Sequence, residues 1–196
     1  MWFADSAEVA AALEAFRPRG RILELACGTG IWTERLWPLA SELTALDGSP
    51  EVIGLNAARL GSRRVRYITA NIFEWKPAAQ FDTVFFSFWL SHVPPEQFVA
   101  FWELVRQCLA PGGRVFFVDS RRDSASTARG DTLPEQSTTT MLRRLNDRRQ
   151  FHIYKIYYDA AELSARLREL GWHFEIRPTR RYFLHGAGAP RALLHE

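Results

Sequence analysis

The chain has 196 residues but only two cysteines and two methionines, and of its 25 basic residues only Lys76 and Lys155 are lysine. Cys27 and Cys108 form neither a disulfide framework nor a metal-binding spacing. A reduced, cytoplasmic protein without a metal is therefore expected. No apolar run reaches 18 residues, which argues against a transmembrane helix and a membrane partner. The opening MWFADSAEVAAALEAF lacks the basic start and long apolar centre of a secretory signal. No internal repeat or heptad pattern is present, so solenoids and coiled coils are set aside. The net charge of +3 is too small to point to nucleic acid.

What the chain does have is apolar material: 47% of its residues are hydrophobic and 13% aromatic. That suffices for one domain, residues 1–196, with a substantial core. Asp5 followed by Glu8 predicts a capping box, and Val9, Leu13 and Phe16 predict an amphipathic helix over 6–16. Strands are predicted at 21–26, 43–46, 65–70, 81–88 and 114–119, with helices at 29–37, from 50 to 60 and around 98–109. The stretch FDTVFFSF scarcely alternates, as expected of a strand buried on both faces. Regular alternation of strand and helix indicates an α/β fold, a doubly wound parallel sheet.

Residues 120–150 break this rhythm. They carry seven arginines against four acids and suit a lid or substrate-binding insert, with a helix allowed across 138–146. The pairs Arg121-Arg122, Arg143-Arg144 and Arg148-Arg149 attract an anionic acceptor or merely form a solvated face. Beyond them, 151–158 alternates like a strand, 160–170 suits a helix, and 172–177 with 181–184 suit a closing hairpin. The tail GAGAPRALLHE looks frayed.

The most informative segment is Leu23–Gly30, LELACGTG, with Asp47 ending the next apolar strand. Strand, glycine turn, helix, strand and terminal acid together bind a nucleoside-bearing cofactor, the acid accepting ribose hydroxyls. Thr33 stands where G-x-G-x-x-G requires its third glycine, and Glu24 lies inside the strand. Both features disfavour a pyrophosphate and hence a nicotinamide-dependent oxidoreductase, which stays as an alternative.

The segment resembles motif I of the class I S-adenosylmethionine (SAM) dependent methyltransferases. That resemblance implies a seven-stranded, mostly parallel sheet with its last strand reversed, flanked by helices on both faces. It implies SAM as cofactor and S-adenosyl-L-homocysteine (SAH) as product. Glu24, Ala26, Cys27, Gly28 and Gly30 would line the methionine end, and Asp47 and Gly48 the ribose. Ala26 stands where many members have glycine. Asn71 and Ile72 fall where the family has an acid and an apolar residue against adenine; an Asx turn is the competing role for Asn71. Phe81-Asp82 and SFWLSHVPP resemble motif IV, which places Ser87 and Phe88 beside the methionine part. A SAM-binding protein of this fold that does not methylate is a further alternative.

For the acceptor, His92 is the candidate base, since a neutral imidazole takes a proton from a hydroxyl or amine. Packing is its alternative role. Trp89 walls the acceptor pocket or fills the core. Asp119 orients the acceptor or caps the next segment, and Tyr154 and Tyr157 supply an aromatic wall or pack. The expected reaction is methyl transfer to a hydroxyl or amine of a small molecule, by a monomer or a homodimer.

Overall fold

Apolar strands and amphipathic helices alternate along the chain, and their order decides where a ligand can bind. The computed structural model describes residues 2–61, 63–123, 139–144 and 150–191. The elements are α1 (Trp2–Phe16), β1 (Arg21–Leu25), α2 (Thr33–Leu36), β2 (Glu42–Asp47), α3 (Pro50–Leu60), β3 (Arg66–Thr69) and β4 (Phe81–Ser87). There follow α4 (Phe98–Cys108), β5 (Leu109–Ser120), β6 (Thr140–Arg144), β7 (Gln150–Tyr154), α5 (Ala160–Glu169), β8 (Trp172–Pro178) and β9 (Phe183–Pro190). Seven strands form one sheet in the order β3-β2-β1-β4-β5-β9-β8. Strands β1 to β5 pair in parallel, and β9 runs antiparallel to both of its neighbours. Chain order reverses between β1 and β4, so a crevice opens beyond their C-terminal ends, where ligands bind in open α/β sheets.

The two faces of the sheet carry separate cores, which explains the unbroken apolar run of β4. Phe86 packs with Phe101, Trp102 and Phe117 beneath α4, whereas its neighbour Phe85 packs with Trp32 and Phe116 beneath α1 and α2. Successive strand residues point to opposite faces, so a strand covered on both sides needs phenylalanine at consecutive positions. No helix among the described residues is long and apolar enough to cross a membrane.

Several local expectations are corrected by long-range contacts. The capping box at Asp5 is not formed. The helix starts earlier, and the buried Asp5 carboxylate accepts from Thr179 Oγ1 (2.7 Å), Arg181 N (2.9 Å) and Tyr182 N (2.7 Å). Asp5 thus ties α1 to the turn between β8 and β9. The helix expected over 29–37 is α-helical only from Thr33 to Leu36, with a 3₁₀ turn at Trp37–Leu39. Strand β5 begins at Leu109; Phe81 pairs with Leu109 and Thr83 with Arg114, so the intervening Pro-Gly-Gly segment bulges out of register.

Thr140–Arg144 is a strand, not the helix allowed across 138–146, and it pairs with β7 as a separate hairpin. Strand β7 stops at Tyr154 rather than continuing to 158. Residues 124–138 and 145–149 of the expected lid, with Arg148 and Arg149, lie outside the described residues, as do 192–196 of the tail. The GAGAP sequence is not frayed but lies in β9. A Cβ on Gly186 would overlap the Phe117 ring, and one on Gly188 the His173 carbonyl oxygen and the Phe174 ring. The glycines make room for aromatic rings and for the backbone of β8, a demand invisible to local pattern.

Candidate active site

Strand β1 leads into a turn in which Ala26, Gly28 and Gly30 have φ of 52°, 54° and 90°. The left-handed region costs a non-glycine residue roughly 1–2 kcal/mol, which explains why glycine suits position 26. Gly30 cannot carry a side chain, because a Cβ would meet the Asn56 amide oxygen at 2.7 Å.

The turn is held from below by polar side chains. Asn56, fully buried in α3, donates to Gly28 O (3.2 Å) and Thr33 Oγ1 (2.8 Å) and accepts from Tyr67 Oη (2.9 Å). Asp47 Oδ2 accepts from Gly28 N at 2.9 Å and Oδ1 from Ser49 N at 3.1 Å. A carboxylate has about four acceptor positions, so Asp47 retains two for ribose hydroxyls.

Glu24 lies beneath this turn with only 1% of its surface exposed, and neither oxygen has a hydrogen-bond partner. Burial pushes its carboxyl up to about 8; the Thr33 hydroxyl opposes the shift without completing a hydrogen bond, and the Asp47 charge adds to it. Burial, with the Glu24 and Asp47 charges, likewise pushes the Cys27 thiol up to about 12, so Cys27 is no nucleophile.

Two cavities meet at Ala26. The first, about 420 Å³, is lined by Asp47, Gly48, Asn71, Ile72 and Trp89. The second, about 690 Å³, is lined by Cys27, Gly28, Ser87 and Phe88 from the strand ends, with Phe3 of α1 and Phe183 of β9. The crevice therefore has a nucleoside-sized compartment over β2 and β3 and a larger one with aromatic walls over β1, β4 and β5. Phe88, like Ala26, has a positive φ (52°), and its ring meets Phe183 edge-on. Strained residues thus stand on both rims of the switch point, and such conformations cluster at functional sites.

The predicted residues divide between these places. Trp89 lies in the first cavity against Phe73, its indole N–H buried without a partner, rather than in the second. Asn71 forms the Asx turn: Oδ1 accepts from Phe73 N (3.2 Å), and Nδ2 donates to Glu74 Oε1 (2.9 Å). One acceptor position remains on Oδ1. Asp119 does not face either cavity. Its carboxylate is buried and accepts from Ser91 N (2.8 Å) and Ser120 N (2.7 Å). Arg121 is occupied too, donating to Thr179 O at 2.7 Å.

His92 lies on a 3₁₀ turn, Leu90–His92, clasped by three consecutive residues after β7 begins to leave its hairpin. The imidazole Nδ1 is 2.7 Å from Tyr154 O, Lys155 Nζ donates to Ser91 Oγ (2.9 Å), and Ile156 N donates to Ser91 O (2.8 Å). A carbonyl can only accept, so Nδ1 carries the proton and Nε2 keeps its lone pair. Burial lowers the His92 pKa, and the Lys155 charge lowers it further; the Tyr154 bond and Asp119 oppose this. Lys155 also donates to Ser120 Oγ (3.3 Å), lies 3.8 Å from Asp119 Oδ1, and packs against the Tyr157 ring. Tyr154 Oη reaches Glu96 at 3.4 Å. Tyr154 and Tyr157 thus surround the clasp rather than line the second cavity.

Asn56 and Lys155 escaped the sequence reading. Lys155 did carry a signal, being one of two lysines in an arginine-rich chain. Asn56 sat four residues before Leu60, on the buried side of its helix. Among the described residues no group of three or more His, Cys, Asp and Glu side chains could hold a metal. The site fits SAM: a buried carboxyl awaits a cation, glycines admit close backbone approach, and an acid ends β2.

A family model for a methyltransferase domain matches residues 22–113. The chain is 30% identical over 164 residues to the ubiquinone biosynthesis O-methyltransferase of Xanthomonas euvesicatoria pv. vesicatoria (strain 85-10), a match covering 79% of this chain and 63% of that protein. The chain thus spans less than two-thirds of that curated relative. Its structure is similar to DhpI in complex with SAH, with TM-score 0.83 and 38% identity over 98% of this chain and 87% of that one. The DhpI complex with SAM and HEP gives TM-score 0.84 and 40% identity, over 96% and 87%.

Proposed function

The chain belongs to the class I SAM-dependent methyltransferases, and from that membership we propose that it transfers the methyl group of SAM to a hydroxyl or amine of a small-molecule acceptor. The observation that carries this reading is the pair of cavities joined at Ala26, with the unpartnered Glu24 carboxyl buried beneath their junction. Asp47 takes the ribose hydroxyls in the first cavity, with Gly48, Asn71 and Ile72 around the base. Glu24, Ala26, Cys27, Gly28 and Gly30 hold the methionyl end, and Ser87 and Phe88 close over it.

When bound, SAM supplies a methyl group already activated by positive sulfur. The protein's task is positioning and exclusion of water. Holding the nucleophile in line at roughly 3–3.5 Å lowers a barrier by about 7–11 kcal/mol. The second cavity, walled by Phe3, Phe88 and Phe183, suits a compact, partly apolar acceptor. His92 accepts the acceptor's proton at Nε2, because Tyr154 O fixes the tautomer and burial with Lys155 keeps the ring neutral. Asp119 acts through the turn that bears His92.

The test is incubation with methyl-labelled SAM and acceptors that include ubiquinone-biosynthesis intermediates and HEP. Label in a product, lost in His92→Ala, supports the reading. SAH binding without label transfer to any hydroxyl or amine favours a non-methylating SAM protein. Calorimetric binding of NADH but not SAH would reverse the assignment.

A further inference from the structure

Glu24 poses an electrostatic problem that the proposed reaction does not use. The side chain is 1% exposed, both oxygens lack hydrogen-bond partners, and among the described residues no cation pairs with it. The groups around it come from every adjoining element. Asp47 at the end of β2 adds a like charge, the Cys27 thiol in the glycine turn and the Tyr67 hydroxyl on β3 are both pushed up to about 12 and stay neutral, and Thr33 and Asn56 carry no charge. The two arginines of the neighbouring cavity are engaged elsewhere. Arg59 Nε donates to Thr29 O (3.0 Å) with its Nη1 3.6 Å from Glu34, and the Arg35 guanidinium lies over the Trp32 ring. A buried carboxylate without a partner is costly, so such a group keeps its proton instead.

With Glu24 already read as part of the methionyl end, we propose that arrival of the cofactor's α-ammonium group there expels the carboxyl proton, so that binding near neutral pH releases about one proton to solvent. This rests on the reading of the crevice over β1 as the methionyl end. The exchange balances: a neutral carboxyl and an ammonium become a carboxylate–ammonium pair, and the carboxyl proton goes to water. The charge that burial forbids in the free protein is tolerated once an opposite charge is beside it. Cofactor exchange is thereby proton-coupled, and the free site stays neutral at Glu24 between turnovers. With the carboxyl pushed up to about 8, most of the free protein carries the proton at pH 7. Affinity then rises about tenfold between pH 6 and pH 7, as one released proton requires.

The experiment is calorimetry of SAH binding at pH 7 in two buffers of different ionisation enthalpy, which counts protons released. Release of most of one proton is expected for the wild-type protein. The control ligand is 5′-methylthioadenosine, which keeps the nucleoside but lacks the amino-acid group; its binding should release none. Glu24→Gln should bind SAH without proton release and with affinity nearly flat between pH 6 and 7. SAH binding by wild type without proton release, or equal release by both ligands, overturns the proposal while leaving the SAM assignment intact. Failure of SAH to bind at all overturns both. The two-ligand comparison uses wild-type protein, so it holds even if Glu24→Gln does not fold.

Discussion

Replacing Asn56 by leucine tests whether the buried polar network, rather than the glycines alone, shapes the cofactor turn. Leucine nearly preserves the side-chain outline, so the change removes chemistry and little volume. Three hydrogen bonds disappear: those to Gly28 O, to Thr33 Oγ1 and from Tyr67 Oη. At about 1 kcal/mol each the loss is about 3 kcal/mol, and the buried Thr33 hydroxyl adds to it when left without this partner. For a domain of this size that corresponds to a fall in Tm of about 6–12 °C. The free Gly28 carbonyl also loosens the turn, so SAH affinity should drop at least tenfold, about 1.4 kcal/mol. Tyr67→Phe alone removes one of the three bonds and should cost about 1 kcal/mol. In the double variant that cost should vanish, because the tyrosine's partner is already gone. Thermal unfolding and calorimetric titration with SAH measure both effects. A Tm within 2 °C of wild type with unchanged SAH affinity, or full additivity of the two substitutions, would refute the reasoning.

Asp47→Ala should weaken SAH binding at least tenfold; equal affinity by calorimetry would remove Asp47 from the site. His92→Ala should slow label transfer by about 10²–10⁴ while SAH affinity stays near wild type, the range for loss of a general base. Burial and Lys155 both hold His92 below its ordinary pKa, so the neutral, base-competent ring persists as pH falls below 6.5. Lys155→Met removes one of these causes and leaves burial and the Arg143 charge opposed by Asp119 and the Tyr154 bond, so the acid-side midpoint of His92 should move to higher pH. NMR titration of the His92 ring reads this without knowledge of the acceptor, and an unmoved or lower midpoint counts against the clasp. Gly188→Ala should destabilise by about 1–3 kcal/mol through overpacking against the His173 carbonyl oxygen and the Phe174 ring, measured by urea unfolding; a neutral result would mean that both the neighbouring strand and the ring give way freely.

Much of the architecture was legible because it depends on neighbours in the chain. Two-faced burial wrote consecutive phenylalanines into β4, and the glycine turn with Asp47 marked the β1–β2 edge where a nucleoside binds. The sheet order could be expected from the family resemblance, since those motifs fix which strands flank the crevice. The Asx turn at Asn71 was also a local matter, competing with adenine recognition from the start.

Other features could not be read locally, because their causes lie far away along the chain. Asp5 looked like a helix cap until the fold brought Thr179, Arg181 and Tyr182 to its carboxylate. The GAGAP stretch looked slack until Phe117 and Phe174 were stacked above it. Lys155 acquired meaning only when the residues after β7 brought it to Ser91, Ser120 and Asp119, next to the Tyr154 carbonyl that fixes which ring nitrogen stays free on His92. Sequence alone determined the parallel strands β1 to β5 and the glycine turn, since backbone conformation and hydrophobic period are short-range properties, and the kind of cofactor followed from the family resemblance of that turn. Tertiary structure decided which polar groups are buried without partners and which charges meet, because desolvation and Coulomb energies depend on distance in space, not in sequence.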